Sequence, residues 1–174
     1  MKVAVEEWEL YNNGILLCRW FDTETDTQEE IAAFVAEAKT AYKLNSNDLE
    51  MFIADVEDDA TGLIKGDESL CYAYEVTQKI IDLEEHERTA LKLMLQNGVV
   101  NDLDEAIEHL EDIRCTGERK MEDVAYNYIQ ETGAISALGE RLQGYFDYEA
   151  LGRDMEINGT YLEDEEGILW EYVS

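Results

Sequence analysis

Thr27-Gln28-Glu29-Glu30-Ile31-Ala32-Ala33-Phe34-Val35-Ala36-Glu37-Ala38 decides how the first third of this chain folds. Thr27 and Glu30 have the spacing at which a Thr hydroxyl and a Glu carboxylate satisfy each other's backbone N–H groups at a helix start. Ile31, Phe34, Val35, Ala38 and Tyr42 then recur on one face of the helix. Upstream, the apolar runs Val3 to Val5 and Ile15 to Phe21 flank Asn12-Asn13-Gly14, residues that favour positive φ. They read as two strands joined by a turn or short loop. Downstream, Leu49 to Val56 reads as a third strand. Residues 1–62 are therefore expected to form a β-β-α-β module that ends in the acidic stretch Glu57-Asp58-Asp59.

The middle, residues 63–105, reads as helical. Asp67 to Ile81 carries Leu70, Ala73, Tyr74, Thr77 and Ile80 on one stripe. Asp82 can cap a second helix with Glu85 completing the box, Leu91, Met94 and Leu95 inward, and Gly98 as its stop. A third helix starts at Asp102, with Leu103, Ala106, Ile107 and Leu110 at helical spacing. In residues 106–174 a fourth spans Glu118 to Thr132, with Met121, Val124, Ala125, Tyr128 and Ile129 inward and Gly133 closing it. Arg153 to Val173 returns to strand character, with Asn158-Gly159 as one hairpin turn and Gly167 in a second. The expectation is an α+β chain of three modules: a small β/α N-terminal module, a helical middle, and a C-terminal module of helix and antiparallel sheet. With no proline in the chain, stiff Pro-rich linkers are absent and the modules should abut.

Of 174 residues, 42 are Asp or Glu and 13 are Lys or Arg, a net charge of −29. Leu, Ile, Val and Phe make up 43, about a quarter and above the roughly 20% floor for folding of highly charged chains. The chain should fold, against strong self-repulsion. Residues 1–62 carry −11, residues 63–105 carry −6 and residues 106–174 carry −12, so no acidic tail accounts for the total. Nucleic acid is nearly excluded as a direct partner and an anionic membrane is disfavoured, because both need a basic face. A basic partner is favoured. Duplex DNA carries one negative charge per ~1.7 Å of axis, so 29 charges match roughly 50 Å, about fifteen base pairs. A basic cleft built for phosphates would attract such a surface by the same counterion release.

Catalytic motifs are missing: no G-x-G-x-x-G, no G-x-x-x-x-G-K-[ST] and no H-E-x-x-H. An EF-hand started at Asp55 would place Ala60 at the turn glycine and Gly66 at the bidentate Glu, so no metal site is expected. His86 and His109 sit among acids and read as solvated helix histidines. Cys18, Cys71 and Cys115 have no C-x-x-C pairing and suit reduced, partly buried thiols, with Cys18 packed in a strand. There is no signal-peptide run and no membrane-length apolar stretch, so a cytoplasmic location is expected and the sequon Asn158-Gly159-Thr160 reads as a turn. The expected protein is not an enzyme and needs no cofactor.

Trp8-x-x-Tyr11-Asn12-x-Gly14, followed by Trp20-Phe21, resembles the start of ArdA-type antirestriction proteins. Tyr128-Ile129-x-Glu131-Thr132-Gly133-Ala134, then Tyr145-x-Asp147-Tyr148-x-Ala150-x-Gly152-Arg153-Asp154, then Gly159-Thr160, is similar to that family's C-terminal block. The resemblance spans nearly the whole chain and is weakest across residues 63–115. Cys18 stands where the family usually carries a small residue, commonly Gly. The resemblance implies an elongated dimer of three modules, joined through the C-terminal one and carried by conjugative plasmids, transposons and phages. It implies a mimic of bent duplex DNA that occupies the DNA-binding channel of type I restriction-modification enzymes, at their specificity and methylation subunits, and blocks restriction. The rival reading is an acidic binding protein for another basic DNA-binding partner or defence complex.

The aromatic matches Tyr11, Trp20, Tyr128 and Tyr148 read as core anchors, Gly133 and Gly159 as backbone geometry, and Arg153 as the partner of a nearby carboxylate. The acids outside the apolar stripes are the candidates for the phosphate-like surface. They are Asp22, Glu24, Asp26, Glu29, Glu30, Glu37, Asp55, Glu57, Asp58, Asp59, Asp67, Glu68, Glu75, Glu111, Asp112, Glu118, Glu122, Asp123, Glu163, Asp164, Glu165 and Glu166.

Overall fold

In the first strand, β1 (Lys2–Glu7), Val3, Val5 and Glu7 alternate onto one face and are almost fully buried. The computed structural model describes residues 1–45, 47–66 and 69–173. The chain divides into two compact units, Met1–Arg88 and Thr89–Ser174.

In the first unit, β1 runs directly into a short helix, α1 (Trp8–Asn12), because the Glu7 carboxylate accepts the Leu10 N–H and caps it. The expected strand over Ile15 to Phe21 is therefore shorter and later: β2 is Arg19–Asp22, and Asn12-Asn13-Gly14 ends a helix rather than joining two strands. Helix α2 (Gln28–Ala41) starts on the expected capping box, with Thr27 accepting from the Glu30 N–H and Glu30 reaching back. β3 (Met51–Glu57) completes an antiparallel sheet in the order β2-β1-β3. Helix α3 (Leu70–Ile80) follows, capped by Ser69 and burying Leu70, Ala73, Val76, Thr77 and Ile80.

Helix α4 (Glu85–Gln96) contains the boundary between the units. Its start is not the expected Asp82/Glu85 box: Glu87 accepts from the Glu84 N–H, two residues further on.

The second unit continues with α5 (Leu103–Glu108), capped by Asp102 as expected. β4 (Ile113–Cys115) is a strand that the sequence pattern did not announce. Helix α6 (Met121–Thr132) ends at Gly133, whose φ of 65° puts it in the left-handed region that a helix stop favours. After the short α7 (Glu140–Gln143), α8 (Tyr148–Asn158) replaces the first part of the strand character expected from Arg153. Asp147 caps α8 by accepting the Ala150 N–H, and Asn158-Gly159 is its C-terminal end, not a hairpin turn. Strands β5 (Thr160–Glu163) and β6 (Leu169–Tyr172) do form a hairpin through Gly167, and the second antiparallel sheet runs β4-β6-β5. The α+β class, with an antiparallel sheet toward each end of the chain, is thus observed.

Gly152 explains why α8 tolerates a glycine in mid-helix. A Cβ there would lie 2.6 Å from the Met121 carbonyl oxygen and 3.0 Å from the Glu122 backbone nitrogen, so α8 crosses the start of α6 backbone to backbone. Gly152→Ala is expected to destabilise by about 1–3 kcal/mol, the range for overpacking a tight contact. Urea unfolding measures it.

Among the described residues the deepest charge is Lys39 on α2, 1% exposed in the apolar row Ile31, Val35, Lys39. Its ammonium lies 2.9 Å from Glu7 and 2.7 Å from Glu9, and donates to the Asp48 carbonyl at 2.5 Å. Burial pushes the Glu7 carboxyl up, but bonds from Lys39 and the Leu10 and Glu50 N–H groups outweigh it, so its pKa lies below the ordinary 4.5. Lys39→Ala strands a buried carboxylate and should cost about 3–5 kcal/mol. Because Glu7 is depressed in the folded state, its contribution is present above pH 4.5 and is lost as pH falls through the folded value. The stability gap between the parent chain and Glu7→Gln should therefore close on acidification, measured as urea midpoints against pH.

Candidate functional site

The sheet of the first unit places charge by register. Lys2 stands between Asp22 and Glu57, and Ala4 between Trp20 and Asp55, so these residues share the face opposite Val3 and Val5. Lys2 also lies 3.6 Å from Asp58, which follows β3 with φ of 57°. Glu29 and Glu30 occupy the first turn of α2, where the helix dipole favours carboxylates. Tyr74 reports the local field: burial first, then Asp26, Glu30, Glu29 and Asp22, push its phenol up to about 12. Its hydroxyl donates to the Asp26 carbonyl.

In the second unit the acids collect at element ends. Glu111 and Asp112 belong to a single 3₁₀ turn before β4, Glu122 and Asp123 open α6, and Glu163 ends β5 ahead of Asp164, Glu165 and Glu166 in the turn of the β5–β6 hairpin. Glu165 is held below its ordinary value by Lys92, 2.7 Å away.

The candidate carboxylates fall into two groups. Glu24, Glu29, Glu30, Glu37, Asp55, Glu57, Asp58 and Glu75 in the first unit are exposed, as are Glu111, Glu122, Asp123, Glu163, Glu165 and Glu166 in the second. Asp22, Asp26, Asp59, Asp112, Glu118 and Asp164 are half-buried and hold the fold locally. Asp22 and Asp26 close the turn after β2, accepting the Glu24 and Asp22 N–H groups. Asp59 accepts from Thr61 and Ile64, and Glu118 from the Asn127 amide. Asp164 accepts from the Glu166 and Ile168 N–H groups and from the Trp170 indole N–H, 2.9 Å away. Asp67 and Glu68 lie outside the described residues.

Several expectations about neighbouring groups are corrected. Tyr11, Trp20 and Tyr128 are not core anchors: they are 48%, 40% and 46% exposed, and Tyr148 is half-buried beside Tyr126 and Phe146. All three cysteines are free and exposed, Cys18 included. Arg153 does pair with a carboxylate, Glu149 at 2.8 Å. The Lys39–Glu7 pair went unread although its signal was present: Lys39 continues the Ile31, Val35 row at four-residue spacing, and Glu7 the Val3, Val5 row at two. Among the described residues no group of His, Cys, Asp and Glu is arranged to hold a metal, and no helix is long and apolar enough to cross a membrane.

Each unit thus carries its own core and its own excess of acid: 22 acidic against 7 basic side chains in residues 1–88, and 20 against 6 in residues 89–174. Fold and surface together define an acidic α+β protein whose exposed chemistry is carboxylate in both units. Residues 3–169 match the family described as Antirestriction protein (ArdA), and the chain belongs to that family, whose function is antirestriction. A search of curated proteins gives no match.

His109, which ends α5, tests the structural assignment of Asp112. Its Nδ1 lies 2.6 Å from Asp112, and that bond raises the imidazole above 6.5, against a smaller opposing effect of desolvation. The bonded, protonated form adds stability below pH 6.5 and loses it as pH rises through the folded value. An NMR titration of His109 should show a midpoint above 6.5, and Asp112→Asn should lower it.

Proposed function

We propose that this chain acts in the cytoplasm as an acidic mimic of bent duplex DNA that occupies the DNA-binding channel of type I restriction-modification enzymes. The contact is with the specificity and methylation subunits, where target DNA would lie, and it blocks restriction. A homodimer joined through the C-terminal module would double the charge presented. The observation that carries this reading is the distribution of charge: the two units hold net −15 and −14, each with carboxylates projecting at strand ends, helix starts and turns. A channel lined to bind rows of phosphates meets a like pattern of anions and releases counterions on both sides. Membership of an antirestriction family supplies the biological setting.

On this reading the phosphate-like group is the exposed set, while Asp59, Asp112, Glu118 and Asp164 support it from within. No single carboxylate is indispensable, because each acts as one member of a screened array. Affinity for a purified type I methylation complex should fall steeply between low and high salt, linearly on a log–log plot. Reversing one exposed acid, such as Glu37→Lys, should cost little. Reversing Asp55, Glu57, Asp58 and Glu75 together should weaken binding cumulatively, with circular dichroism confirming the fold. Affinity that is indifferent to salt, or abolished by one reversal in a folded variant, would contradict phosphate mimicry.

A further inference from the structure

The face of the first sheet that carries Asp55 and Glu57 also carries exposed aromatics that charge mimicry does not use. Trp8 stacks on Phe52 with ring centroids 4.1 Å apart, and Tyr11 meets both rings edge-on at 6.0 and 6.3 Å. Phe52 is nearly buried beneath them, while Trp8 remains 39% and Tyr11 48% exposed. Phe52 pairs with Glu6, and Trp20 and Asp55 flank Ala4, so the aromatic cluster and the acid row share the face opposite Val3 and Val5. Trp20, 40% exposed, stands on β2 across β1 from Asp55 and level with it, both being paired with Ala4.

An aromatic cluster alone would fit many occupants, but its carboxylates narrow the choice. Nucleic acid and anionic lipid are repelled. A second copy would bring the same acidic face against this one. What complements indole rings beside carboxylates is the guanidinium group, which stacks flat on an aromatic face while its edge donates to a carboxylate. We infer that the Trp8–Trp20 face of the first sheet docks an Arg-bearing protein segment, with guanidinium groups on the indoles and ion pairs to Asp55 and Glu57. The inference rests on the proposed function only in taking the physiological partner to be a basic protein. It adds a contact with an apolar part, which salt screens less than a pair of exposed charges. Tyr and Trp in such a setting carry a disproportionate share of binding energy.

The chain reports on this face itself, because Trp8 and Trp20 are exposed whereas Trp170 is 5% exposed with its indole bonded to Asp164. The full-length protein, labelled with ¹⁵N, would be titrated with an amidated peptide alternating Arg and Val, with Lys and Gln versions as controls. The expected result is saturable movement of the Trp8 and Trp20 indole N–H signals while Trp170 stays still. Affinity should fall in the order Arg, Lys, Gln, and Trp20→Ala should weaken the Arg peptide by about tenfold. Indoles that do not move, or shifts spread evenly over the carboxylates of both units, would overturn it. Concentration-dependent broadening of the two indoles without peptide would overturn it too, making a second copy the occupant. Silent indoles in a protein that still displaces DNA from a restriction enzyme would remove the docking face and leave the mimic standing. Responsive indoles without displacement would do the reverse.

Discussion

Repulsion among 42 carboxylates, offset by only 13 Lys and Arg side chains, is the constraint that every other feature of this structure accommodates. A compact chain cannot bury such charge unpaired, so the acids are carried outward and the cores are left to aliphatic residues. Val3, Val5, Ile31, Val35 and Ile53 fill the first unit, and Leu91, Met94, Val124, Ala125 and Ile129 the second. Among the described residues the deep exception is Glu7, bonded by Lys39 and by two backbone N–H groups. That buried pair joins the end of β1 to the last turn of α2; removing Lys39 would leave the Glu7 carboxylate buried without its counterion, whereas removing Glu7 leaves Lys39 paired with Glu9.

The few cations are correspondingly specific in placement. Arg88 donates to the Leu83 and Ile81 carbonyls and reaches Glu24 at 3.3 Å, and Arg114 joins Glu171 across the β4–β6 pair at 2.5 Å. Exposed pairs of this kind add little stability singly. Their effect is positional, tying strand and helix ends together, while 13 cations against 42 acids leave both units strongly negative. An identical net charge gathered in a disordered tail would give the same isoelectric point and no ordered surface.

Local chemistry made much of this legible in the sequence. The Thr27–Glu30 box, the Asp102 cap and the Gly133 stop are set by neighbours three or four residues away, and each stands where the pattern put it. What was illegible depended on distant partners. Gly152 looks like a helix breaker until the backbone of Met121 is found against it, and Asn158-Gly159 has hairpin composition but ends α8. Trp20 and Tyr128 have the chemistry of core residues, and only the topology leaves them on the surface. Among the candidate acids, composition could not separate Asp59 and Asp164, bonded to backbone N–H groups, from Glu37 or Glu122, which face solvent.

Competition with DNA decides whether these carboxylates stand in for the phosphates of a duplex. A fluorescent duplex bearing a type I target is bound to its methylation complex, and this protein is titrated in beside an unrelated acidic protein of similar net charge. Near-stoichiometric displacement, far more effective than the control, is the predicted result. Displacement no better than the control would reduce the charge to a general polyanion effect and contradict the account.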